Sequence, residues 1–154
     1  SPGMEISRSI EVRATPEAAY DLVSDLPGMG ALSPENVGGR WLGGATGPVA
    51  GARFRGRNRN GLHRWSTSVR VVTADPGREF AFDVSSYRFI PVSRWRYTFL
   101  PNADGCTVTE GWQDRRPGWF KLPAGVATGV LDRESATGRS IEHTLASLKA
   151  ALEG

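Results

Sequence analysis

Apolar and polar residues alternate through the middle of the chain. Phe54 stands between Arg53 and Arg55, and Trp65, Thr67, Val69 and Val71 share one face of the stretch that follows. Phe80, Phe82 and Val84, then Trp95, Tyr97 and Phe99, then Cys106, Val108, Glu110 and Trp112 repeat the rule. A period of two places successive side chains on opposite faces of a strand, with one face covered. The alternation predicts strands over residues 37–42, 52–60, 63–73, 78–85, 93–100 and 106–114. Gly43-Gly44, Asn60-Gly61, Asp75-Pro76-Gly77 and the 102–105 stretch separate them as turns, and Pro91 marks another connection. An earlier strand over 5–14 carries Ile6, Ile10 and Val12 on one side.

The flanks have a helical period instead. Thr15 caps a helix that starts at Pro16, with Glu17 at the positive end of its dipole. Ala19, Leu22, Val23 and Leu26 form its buried stripe, Pro27-Gly28 stops it, and one short helical turn over 30–36 follows. Residues 117–154 predict one long C-terminal helix. Its stripe of Ile141, Leu145, Leu148 and Leu152 runs back through Thr137, Glu134, Val130 and Val126. That face is oily at both ends and polar in the middle, which suits a roof over a cavity better than a plug. Gly125, Gly129 and Gly138 each cost about 1 kcal/mol relative to alanine in a helix interior. They mark either a close backbone approach or a break, and the alternative is a helix that starts only after an irregular 125–138 region.

Strand, helix, a run of hairpin-linked strands and a terminal helix make an α+β protein with an antiparallel sheet. A sheet of this size twists and curls. Curled around one helix, it leaves space between them unless large side chains fill it.

Composition changes this picture little. The chain has 154 residues, 39% hydrophobic and 23% charged, which fits one globular domain. We expect that domain over 4–153, with Ser1-Pro2-Gly3 as a cloning scar ahead of Met4. The lone Cys106 excludes an intrachain disulfide and a paired-cysteine zinc site. No apolar run reaches membrane-spanning length and no signal pattern opens the chain, so the expectation is a cytoplasmic protein without integral membrane association. Arg53, Arg55, Arg57, Arg59 and Arg64 concentrate the net charge of +3. Set at every second residue, the first four read as the solvent face of a strand rather than a nucleic-acid patch. His63 and His143 fall at exposed positions and make no metal site; no cofactor is expected. Asp114 and Asp132 have no motif around them, the serines near Trp65 lack a triad pattern, and the glycine-rich 43–51 stretch lacks a phosphate-loop ending.

The opening MEISRSIEVRATPEAAYDLVSDL, the segment GARFRGRNR, the pair WSTSVRVV and the strand CTVTEGWQDRR before a long helix resemble the START-like, or Bet v 1-like (SRPBCC), superfamily. Within it the chain is similar to small bacterial proteins of the polyketide cyclase/dehydrase type. The resemblance implies a helix-grip fold: a curved seven-stranded antiparallel sheet wrapped around the C-terminal helix, two short helices after the first strand, and a hydrophobic cavity between. It also implies a lipid, hormone or polyketide as the small-molecule partner.

The inward face by alternation holds Trp41, Phe54, Asn58, Trp65, Thr67, Phe82, Trp95, Tyr97, Glu110 and Trp112, closed by Phe120, Val126, Val130 and Glu134. Apolar walls with a few polar groups suit a small-molecule pocket; the competing reading is that these aromatics fill the core. Glu110, between Val108 and Trp112, is either a desolvated acid facing a ligand or one half of a salt bridge to Arg133 or Arg139. Two functions follow. One is binding of a hydrophobic or aromatic molecule by a monomer or weak homodimer. The other is cofactor-free polyketide aromatase/cyclase chemistry with Glu110 and Tyr97 as acid/base groups. The second lacks the cavity arginine that the resemblance implies on the Trp65 strand, where Arg70 points outward. A pure interaction module would need an exposed apolar patch, and the sequence reveals none.

Overall fold

The computed structural model describes residues 5–87, 89–130 and 132–154. The expectation about Ser1-Pro2-Gly3 and Met4 lies outside the described residues. Strand β1 (Glu5–Val12) leads into α1 (Pro16–Ser24) and a short 3-10 helix (Leu26–Ala31). Six strands follow: β2 (Asn36–Trp41), β3 (Arg53–Asn60), β4 (His63–Asp75), β5 (Glu79–Ser86), β6 (Ile90–Asn102) and β7 (Gly105–Asp114). Helices α2 (Gly118–Thr128) and α3 (Arg133–Glu153) end the chain.

The seven strands form one antiparallel sheet in the order β1-β7-β6-β5-β4-β3-β2. Hairpins link β2 through β7 in sequence, and β1 returns to pair with β7. Register shifts between Asn36 and Gly38, Val71 and Thr73, and Val84 and Ser85 bend the strands. Such bulges curl a sheet, and this one wraps around α3. Its outer face is polar, as the alternation predicts. There Asp83 accepts two hydrogen bonds from Arg94, at 2.6 and 2.9 Å, and one from Arg115 at 3.0 Å. Arg53, Arg57 and Arg59 are exposed on β3.

The concave face is solid at one end only. Tyr20 of α1 meets Phe80 and Phe99 edge-on, with centroids 6.0 and 5.8 Å away. Val23, Cys106, Val108, Ile141, Leu145 and Leu148 are buried with them. This core holds the second half of α3 against β1 and β7. Helix α2 packs over β4 at the other end, and space remains beneath it.

Three expectations need correction. The last quarter is two helices, not one. Gly129 takes a left-handed conformation (φ 74°) that ends α2, and the Asp132 carboxylate caps α3 by accepting the Ser135 N–H at 3.2 Å. The break resets the helical phase, so the inward stripe begins only at Thr137. Val126 and Glu134 are exposed and Val130 is half-buried. Helix α1 stops at Ser24, just ahead of Pro27-Gly28, but the short helical turn expected over 30–36 is a 3-10 helix that starts earlier, at Leu26, takes in Pro27-Gly28 and ends at Ala31. Pro91 lies inside β6, at its register shift with β5, where a missing N–H is tolerated.

Candidate functional site

A cavity of about 900 Å³ lies between the concave sheet and the α2–α3 roof. Its closed end is built by cross-strand neighbours. Tyr97 on β6 sits opposite Glu110 on β7, and its hydroxyl donates to Glu110 Oε2 at 2.6 Å. Both residues are buried. Glu110 Oε1 has no hydrogen-bond partner among the described residues.

Burial pushes the Glu110 carboxyl up to about 8, against the pull of the Tyr97 hydrogen bond. Burial, then the adjacent Glu110 charge and its hydrogen bond, hold the Tyr97 phenol well above its ordinary range. At neutral pH the carboxyl is therefore mainly protonated. Oε2 already receives the Tyr97 hydrogen, so the carboxyl's own proton belongs on Oε1. The closed end of the cavity thus presents a neutral O–H donor with nothing among the described residues to accept it.

Aromatic walls rise from this pair. Trp95 faces Trp112 across β6 and β7, and Phe82 faces Trp95 across β5 and β6. On the other flank Asn58 donates to Thr67 Oγ1 at 3.2 Å and pairs with Trp65. Phe120, Ala124 and Ala127 of α2 and Thr137 and Ser140 of α3 form the roof.

The structure therefore brings Asn58, Trp65, Thr67, Phe82, Trp95, Tyr97, Glu110, Trp112 and Phe120 around one cavity. Trp41, Val126, Val130 and Glu134 are not part of its wall. Trp41 lies behind Phe54, edge-on at 5.2 Å, so Phe54 separates it from the cavity. Val126, Val130 and Glu134 are turned away by the Gly129 break. The salt-bridge reading of Glu110 also fails: Arg133 pairs with Glu35 Oε1 at 2.6 Å, and Arg139 is exposed.

Among the described residues four arginines contribute to the wall, Arg55, Arg64, Arg116 and Arg133; alternation sets Arg55 on the solvent face, and sequence reasoning missed the last two as wall residues. Arg116 grips Asp114 through Nε to Oδ1 at 3.0 Å and Nη2 to Oδ2 at 2.9 Å. Burial would raise the Asp114 carboxyl, but hydrogen bonds and charge from Arg116 hold it below its ordinary value. Arg133 is the second. Each is matched by one carboxylate, so neither brings a free charge to the cavity. An Asp-x-Arg run after the last strand is a signal for the first; the Arg133–Glu35 pair spans 98 residues and left no local trace. Leu26 and Met29, on the displaced 3-10 helix, also line the cavity. Among the described residues no group of three or more His, Cys, Asp or Glu side chains is placed to hold a metal. No helix among them is long and apolar enough to cross a membrane.

A curved seven-stranded antiparallel sheet around a long C-terminal helix, with a deep apolar cavity between them, defines the helix-grip class. The chain belongs to the polyketide cyclase / dehydrase and lipid transport family, whose model matches residues 4–153. The Polyketide_cyc-like protein Cgl2372 from Corynebacterium glutamicum is similar at 29% identity and a TM-score of 0.66, over 98% of this chain and 92% of that one. Protein NE0264 from Nitrosomonas europaea shares the fold at 14% identity and a TM-score of 0.71, over 97% and 94%. The di-domain ARO/CYC StfQ of the steffimycin biosynthetic pathway shares it at 14% identity and a TM-score of 0.75. There 97% of this chain covers 50% of that protein, so the chain spans half of StfQ. No curated protein matches the chain.

Proposed function

We propose that the protein binds a hydrophobic, aromatic small molecule of lipid or polyketide type, with a carbonyl or other acceptor oxygen at its buried end. The observation that carries this reading is Glu110 Oε1, a buried polar atom without a partner among the described residues, on the wall of an apolar cavity. Leaving such a group unpaired costs about 1–3 kcal/mol. An acceptor atom of a ligand would remove that cost and fix the ligand's orientation, while the aromatic walls supply affinity through apolar burial. The family's description supports the same ligand class.

Organic extraction of the purified protein with mass spectrometry, beside thermal shift against aromatic polyketides and fatty acids, tests this. A ligand at 100 times its dissociation constant adds about 2.7 kcal/mol of stability. Glu110→Leu removes the donor and should weaken binding about tenfold or more. Glu110→Gln keeps an N–H donor in its place and should retain affinity. If no compound raises the midpoint, or Glu110→Leu binds as tightly as the parent, the reading is wrong.

The Glu110–Tyr97 pair also favours a second reading, a cofactor-free aromatase/cyclase. With its pKa about 8, about a tenth of Glu110 is ionised at pH 7, so acid and base forms coexist. The base form would take an α-proton from a poly-β-ketone. The acid form so produced would protonate the acceptor ketone oxygen during aldol closure to give a hydroxyl; the carboxylate would then take a second α-proton and return it to that hydroxyl, which leaves as water as the carbon–carbon double bond forms. The name of StfQ supports this reading by fold alone. Turnover of a poly-β-ketone mimic that disappears in Glu110→Gln, while binding persists, would establish catalysis. Binding without turnover in the parent protein leaves the first reading alone.

A further inference from the structure

Helix α2 is apolar on both sides. Phe120, Ala124 and Ala127 line the cavity. Trp119, Leu122 and Val126 occupy the opposite side at 68%, 68% and 64% exposure. The helix carries one charge, Lys121. A helix that is oily all round normally lies buried, and nothing among the described residues covers this outer face.

Other exposed apolar side chains share its neighbourhood. Leu62, 98% exposed, tips the β3–β4 turn. That turn is tied to the end of α2, because Asn60 Nδ2 donates to the Thr128 carbonyl at 3.1 Å. Tyr87 and Phe89, 77% and 78% exposed, occupy the β5–β6 turn, and Tyr87 lines the same cavity as Phe120. The exposed part of the cavity wall, including Arg64, Tyr87, Pro123 and Ala127, lies at this rim. The apolar points therefore ring the cavity mouth.

The rim is also basic. Arg59 and Arg64 sit directly opposite each other on β3 and β4, a like-charge pair that costs stability. Neither joins an ion pair among the described residues. The nearby carboxylate of Glu35 is taken by Arg133, and that of Asp114 by Arg116 and, at 3.9 Å, by Lys121.

We propose that this rim docks the protein on an anionic lipid bilayer, with Trp119, Leu122 and Leu62 in the headgroup–acyl boundary and Arg59 and Arg64 against lipid phosphates. Apolar side chains flanked by basic ones are what such a surface takes up. A second copy is a poorer occupant, because a two-fold contact here sets the same basic residues against each other. Docked this way, the cavity mouth faces the membrane, and a hydrophobic ligand moves between bilayer and cavity without crossing water.

Flotation of the full chain with vesicles tests the proposal. Phosphatidylcholine alone is compared with phosphatidylcholine and phosphatidylglycerol at about 3:1. The protein should float with the anionic vesicles, only weakly with the neutral ones, and release as salt rises. Arg59→Gln/Arg64→Gln should lower partitioning about 30-fold, at one lipid-facing charge per step. Trp119→Ser/Leu122→Ser should also detach the protein. All four side chains are exposed, so the unfolding midpoint stays near that of the parent; ligand-induced stabilisation survives in Trp119→Ser/Leu122→Ser, whose two positions lie off the cavity wall. The proposal falls if the parent ignores both vesicles, if it binds neutral and anionic vesicles alike, or if either double variant floats as the parent does. It falls equally if sedimentation velocity finds a dimer that Trp119→Ser/Leu122→Ser splits, which would make a second copy the occupant.

Discussion

Glu110 ties the cavity to the stability of the fold. Its carboxyl holds its proton to about pH 8 in the folded protein, against an ordinary value of 4.5. A group that binds its proton more tightly when folded stabilises fully below the unfolded pKa and loses that contribution as pH rises toward the folded one. The protein should therefore lose stability between about pH 4.5 and 8 and level off above, a loss bounded at roughly 5 kcal/mol by the size of the shift. Urea unfolding across that window measures the slope, and Glu110→Gln should flatten it. A parent protein equally stable at both ends would mean that Glu110 is ionised in the fold. Tyr97→Phe makes a complementary test. Its hydroxyl hydrogen bond lowers the Glu110 pKa, so its loss should move the inflection upward. It also leaves Oε2 unpaired, at about 1–3 kcal/mol. An inflection that stays in place in Tyr97→Phe would uncouple the two groups.

Helix α2 owes its separate existence to Gly129. A Cβ built there lies 2.7 Å from His63 Nδ1, in a backbone conformation (φ 74°) that L-residues avoid. Gly129→Ala should cost about 2 kcal/mol in chemical unfolding. His63→Ala in the same chain should return only the part due to the clash, as a double-mutant cycle would resolve. Two additive costs would place the whole penalty in the backbone. This break also explains what was hard to read in the sequence. A glycine inside a helical pattern carries the same local cost whether the helix runs on through it, as α3 does through the buried Gly138, or ends at it, as α2 does at Gly129. The contact with His63 that settles the matter comes from a distant hairpin. Strands β4 to β7 were legible because one face is covered and the other is wet, so Tyr97, Glu110 and Trp112 could be set inward by counting. Trp41 shares the inward face of β2 with its partner Phe54, but alternation gives a face and no position along the cavity. Arg133 found its carboxylate across most of the chain, beyond the reach of any local rule.

The molecule is half solid and half hollow, and the two halves meet along α3. Ile141, Leu145 and Leu148 close the packed end, while Thr137, one turn before Ile141, and Ser140, the residue just before it, line the cavity. Interiors are close-packed where nothing prevents it, so a hollow of about 900 Å³ forgoes contacts that larger side chains would supply. Ala124 is the natural place to supply them. It sits on the roof, half-buried, in a helix that accepts leucine as readily as alanine. If the hollow exists to hold a guest, Ala124→Leu should raise ligand-free stability by about 1 kcal/mol through added apolar burial. It should at the same time weaken the best ligand found by thermal shift about tenfold, because the new side chain takes the guest's volume. Unfolding midpoints with and without ligand read both effects from one preparation. A variant that is more stable yet binds as before would show that the guest does not reach the roof. One that is less stable would show that the space over Thr67 and Trp95 is already shaped to its own side chains and has no slack to fill.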